Sequence, residues 1–107
     1  RTFYIKQNDT LPAISDQLKR AGGIIPNVTT STVRFNMKLP GATTAKINAV
    51  ATQDDGAIAK VSYAWATADT NTAGEYYGEW EETTAGGGVM TYPSDGYILV
   101  IILDDVS

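Results

Sequence analysis

The chain has 107 residues, 43% hydrophobic and 19% charged, a composition that suits one folded domain with its own core. Eight Lys and Arg against twelve Asp and Glu give a formal net charge of −4, the wrong sign for tracking a phosphate backbone. Cys and His are both absent, which excludes a disulfide framework, a Cys/His zinc site, a thiol nucleophile and a Ser-His-Asp triad.

Arg1 is too large to follow a removed initiator Met, so residues ahead of it are expected to have been lost, and no charged-then-apolar leader is visible. From there apolar and polar residues alternate at period two, and no segment keeps helical spacing over three turns. Ile14 to Arg20 reads as a strand in preference to a short helix, because it follows Pro12 and runs into Ala21-Gly22-Gly23. On a strand Ile14, Asp16 and Leu18 share a face. Val33 to Leu39 alternates throughout, with Val33, Phe35, Met37 and Leu39 inward, and Pro40-Gly41 ends it. Asp54-Asp55-Gly56 predicts a hairpin turn that uses positive φ. A strand from Ala57 to Trp65 follows, with Ala57, Ala59, Val61, Tyr63 and Trp65 inward.

Residues Ala66 to Gly74 read as a loop with one helical turn at most, capped by Thr67 or Asp69. From Tyr76 to Glu82, Tyr76, Gly78 and Trp80 face inward and oppose Tyr77, Glu79 and Glu81. Gly86-Gly87-Gly88 is a hairpin tip, and Pro93-Ser94-Asp95-Gly96 is a turn. The expected fold is all-β: an antiparallel sandwich of about seven strands in a single domain over 1–107.

Several segments carry a resemblance when taken together. They are Phe3-Tyr4-Ile5-Lys6-Gln7-Asn8-Asp9-Thr10, Thr32-Val33-Arg34-Phe35-Asn36-Met37, and Val61-Ser62-Tyr63-Ala64-Trp65 leading into Asp69-Thr70-Asn71-Thr72-Ala73-Gly74-Glu75-Tyr76. The last is the close, Tyr92-Pro93-Ser94-Asp95-Gly96-Tyr97. The chain resembles the immunoglobulin-like domain of tailed-phage virion proteins, typified by the N-terminal domain of the phage baseplate upper protein family. Gly41 to Gln53 departs from it and matches no motif.

The resemblance implies an Ig-like β-sandwich without catalysis or cofactor, located in the virion. Its role would be a capsid decoration, a head-fibre base or a tail or baseplate accessory, docked on other virion proteins and on copies of itself. The alternative is an Ig-like module that recognises host-surface carbohydrate or protein. Gly74 followed by Tyr76 also fits the corner at which a buried Tyr bonds back to loop backbone. Trp65 and Trp80 would fill the core in place of the usual disulfide and its packed Trp.

The candidate sites are few. Asp54-Asp55, Glu81-Glu82 and Asp104-Asp105 read as solvated turn or strand-end charges, with a loop calcium as the competing reading and no metal site assigned. Asn8-Asp9-Thr10 and Asn27-Val28-Thr29 match the glycosylation triplet by chance. The basic residues are scattered, so no nucleic-acid surface is expected. Among the aromatics Tyr77 and Tyr92 are the expected exposed contacts for a host glycan.

Tyr97 to Leu103 is the longest apolar run, far short of the ~20 residues of a spanning helix, so no membrane insertion is expected. It also lacks the alternation of a strand with one wet face. One set, Ile98, Val100 and Ile102, is assigned to an assembly interface; the run itself leaves open whether that set or Tyr97, Leu99, Ile101 and Leu103 faces inward.

Overall fold

The alternating segments form nine strands in the computed structural model, which describes residues 1–94 and 96–106. They are β1 (Thr2–Lys6), β2 (Ile14–Gln17), β3 (Thr32–Lys38), β4 (Ile47–Val50), β5 (Thr52–Asp55), β6 (Lys60–Tyr63), β7 (Gly74–Thr83), β8 (Val89–Tyr92) and β9 (Ile98–Leu103). One sheet has the order β1-β9-β7-β3-β4, and the other the order β2-β6-β5. The long β7 pairs β3 along one edge; on its other edge β9 pairs Gly74–Gly78 and β8 pairs Trp80–Thr83.

The sheets face each other as a sandwich, as the composition and alternation predict. Phe35 on β3 is the pivot of the interior. Its ring stacks on Tyr63 at 5.3 Å, meets Trp65 edge-on at 5.7 Å and lies 4.9 Å from Trp80. Such pairs add to the burial of large rings and fix how the sheets seat on one another. Both indoles are anchored by their polar edge: Trp65 Nε1 donates to the Pro12 carbonyl and Trp80 Nε1 to Asp16, which also takes Arg1. Gly78 makes room on β7 for side chains of the two flanking strands of its own sheet. A Cβ there would sit 3.2 Å from Phe35 Cζ and 3.4 Å from Val100.

Three expectations are corrected. There are more strands than about seven, because the Ala- and Thr-rich middle contributes β4 and β5. The sandwich is not antiparallel throughout, since β1 runs parallel to β9. The strand expected from Ala57 begins only at Lys60: Gly56–Ile58 is a 3-10 turn, Ala57 is exposed, and Ala59 rather than Gly56 takes positive φ, at 55°.

Other expectations hold. Ile14–Gln17 is a strand and not a helix, with Ile14, and Leu18 just beyond it, buried. The Thr67–Thr70 turn is capped by Asp69, whose carboxylate accepts the Ala66 N–H at 2.8 Å. In the turn after β8, Gly96 has a φ of 91°, while Asp95 lies outside the described residues.

Candidate functional site

Period-two geometry gives the larger sheet an inner and an outer face. Directly opposed residues share a face, so the register fixes what the outer face displays. On β1 and β9 it displays Thr2 beside Leu99, Tyr4 beside Ile101 and Lys6 beside Leu103. On β7 and β3 it displays Tyr77 beside Lys38, Glu79 beside Asn36 and Glu81 beside Arg34. The face therefore has a largely apolar half on β1 and β9 and a largely polar half on β7 and β3.

The apolar half is open. Tyr4 is 61% exposed and Leu103 42%, with Leu99 and Ile101 half-buried between them. This overturns the assignment within the C-terminal run. Ile98, Val100 and Ile102 are only 3%, 0% and 2% exposed, because they oppose Gly78, Tyr76 and Gly74 on the inward side of β7. The outward set is Leu99, Ile101 and Leu103.

At the boundary of the two halves lies a groove of about 250 Å³. Its aromatic wall is Tyr77 and Tyr97, whose rings stack at 3.9 Å. Its polar lining is Asn36, Lys38 and Glu79, with Met37 and Gly78 between them along β3 and β7. The Tyr97 hydroxyl beside it raises the Tyr77 phenol pKa, helped by burial and by Glu75. Asn36 Oδ1 is covered and has no hydrogen-bond partner among the described residues. Farther along the polar half, Arg34 is held flat by Asn48, with Nε on the side-chain oxygen at 2.7 Å.

Of the two tyrosines expected to be exposed, Tyr77 is half-buried against Tyr97, and Tyr92 belongs to the interior at 2% exposure. Tyr92 opposes Trp80 across β7 and β8 and so shares its inward face. Tyr97, Asn36, Lys38 and Glu79 are the members that sequence reasoning missed. Alternation already set Asn36 and Glu79 on outward phases; only the cross-strand register makes them neighbours.

A second polar cluster lies inside, where a solvated charge was expected. Glu82 is 1% exposed and accepts hydrogen bonds from Ser31 Oγ at 2.6 Å and Tyr92 Oη at 2.7 Å. Arg20 approaches at 3.4 Å. Burial alone would push this carboxyl up, but the two hydroxyls and the Arg20 charge outweigh it and hold its pKa below the ordinary value. All its strong partners are spent on structure.

Of the remaining acid pairs, Asp54 accepts from Ser62 on the next strand, and Asp104 and Asp105 are exposed. Among the described residues no group of three or more acidic side chains converges as a metal site, and no helix is long and apolar enough to cross a membrane. No protein-family model matches the chain, and no curated protein matches it.

Proposed function

We propose that the chain is a non-enzymatic Ig-like assembly domain of a tailed-bacteriophage virion, docked on neighbouring virion proteins through the outward face of β1 and β9. The observation that carries the reading is the apolar row Tyr4, Leu99, Ile101 and Leu103 on a sheet face with no layer of the described residues above it. Apolar side chains grouped on one open face favour association, at ~25 cal/mol for each Å² withdrawn from water.

The Ig-like part of the reading is supported by strand order. In chain order β2, β5 and β6 take the places of strands B, D and E, while β3, β4, β7 and β9 take those of C, C′, F and G. Here β1 leaves strand B and lies against strand G. The Tyr76 hydroxyl donates to the Thr72 carbonyl at 2.7 Å at the start of β7, which is the corner expected of strand F.

The test is made on particles of the phage that encodes the chain. Purified virions should contain it at a fixed copy number by quantitative mass spectrometry. Virions grown with Leu99→Thr and Ile101→Thr in place of the parent should lose it, although the variant keeps the parental far-UV spectrum. Absence of the parent chain from virions, or undiminished incorporation of the variant, would refute the proposal.

A further inference from the structure

We infer that the groove between Tyr97 and Asn36 binds the ring of a neutral saccharide. This goes beyond docking, and it uses none of Tyr4, Leu99, Ile101 and Leu103. The walls of the groove differ in kind. Tyr77 and Tyr97 offer a pre-stacked aromatic surface, and Tyr97 remains 46% exposed. Beside it on the same outward face stand an amide, an ammonium and a carboxylate, on Asn36, Lys38 and Glu79. A pyranose ring matches that division, with apolar C–H faces for the aromatic wall and hydroxyls that both donate and accept for the polar one. The unpartnered Asn36 oxygen adds a specific point: turning this amide toward a ligand breaks no hydrogen bond of that oxygen.

Size and charge narrow the ligand. At about 250 Å³ the groove lies below the roughly 300–1,000 Å³ of drug-sized pockets, so it takes one ring and not a chain. Within it Glu79 is matched by Lys38, on the same outward face Glu81 is opposed by Arg34, and Glu75 with a whole-chain charge of −4 leaves the surroundings mildly negative. An uncharged ring is therefore favoured over acidic sugars and phosphates. An extended peptide is disfavoured for another reason: peptides add to a free strand edge, whereas β3 and β7 are each paired on both sides here. Recognition has to come from side chains above the sheet. With about a dozen heavy atoms in the ligand, the expected Kd is of millimolar order.

The experiment is an amide NMR titration of the intact chain with methyl β-galactoside, methyl α-glucoside and N-acetylglucosamine, with glucuronate and an end-blocked trialanine in parallel. At least one neutral sugar should give saturable shifts centred on residues 36–38, 77–79 and 96–97. Tyr97→Ala should weaken that binding about tenfold or more while leaving shifts elsewhere in the spectrum in place. Glu79→Gln should weaken the neutral sugar and relax the exclusion of glucuronate. The inference fails if no neutral sugar saturates, if the shifts map elsewhere, or if Tyr97→Ala binds as the parent does. It fails equally if the peptide or glucuronate is the better ligand. Because Leu99 and Ile101 lie outside the groove, these outcomes are separable from the loss of virion docking.

Discussion

At the start of β7 the Tyr76 hydroxyl is satisfied by a carbonyl four residues back, whereas near its end the Glu82 carboxylate draws on Ser31, Tyr92 and Arg20, which lie 51, 10 and 62 residues away. Both groups are buried, and both stand on the inward side of the same strand. The Tyr76 corner needs only its own loop to form. The Glu82 cluster needs the Arg20 turn, the approach to β3 and the β8 hairpin all in place. One end of β7 is a local device and the other a sensor of the completed fold.

Trp80 lies between the two ends, and its loss should break both at once. Trp80→Ala removes a ring packed on Phe35 and the hydrogen bond to Asp16, at ~3–5 kcal/mol against a total stability of roughly 5–15. Thermal melts followed at both ends should move together; a variant within a few degrees of the parent contradicts the central place given to this side chain. Glu82→Ala should come next, at about 2–4 kcal/mol, because it leaves the Ser31 hydroxyl without its acceptor and the Tyr92 hydroxyl with only the weak Met90 sulfur. Arg20 keeps its hydration, being partly exposed, which holds the effect below that of a fully buried ion pair.

Gly78→Ala tests the middle of the strand. The added methyl has to displace the Phe35 ring or Val100, for about 1–3 kcal/mol, and chemical denaturation reads the loss. Tyr76→Phe should cost about 1 kcal/mol, the net value of one hydrogen bond, with the ring still in place. An effect as large as that of Glu82→Ala would erase the contrast between local and assembled.

The smallest effect is in pH. Glu82 titrates below its ordinary 4.5 in the folded chain, so the unfolded chain binds the proton first as pH falls. Its contribution is complete above about pH 4.5 and is lost as pH falls through the lower folded value. Glu82→Gln should flatten the acid limb of a melting-temperature profile; an unchanged limb would place acid sensitivity elsewhere.

The same contrast explains what the sequence made legible. The faces of β3 and β7 follow from alternation, and the Tyr76 corner from a Gly-x-Tyr step whose partner lies in its own loop. Glu82 was in phase with Tyr76 and Trp80, but nothing near it in the chain signals a hydroxyl partner 51 residues away. β9 is apolar at every position, so its inner face is set by the neighbour: Gly78 opposite Ile98 and Tyr76 opposite Val100. Tyr92 was misplaced for the same reason, its side being set by Trp80 across the ladder. The groove joins Asn36 to Tyr97 across 61 residues, which alternation alone does not measure.

The parallel pairing of β1 with β9 also has a mechanical meaning. The chain enters beside Leu99 and leaves past Leu103, at opposite ends of one ladder. Tension applied to the two ends drags these strands past each other along their length. The rungs from Thr2–Leu99 to Lys6–Leu103 are then loaded together in shear, instead of opening one after another like a zip.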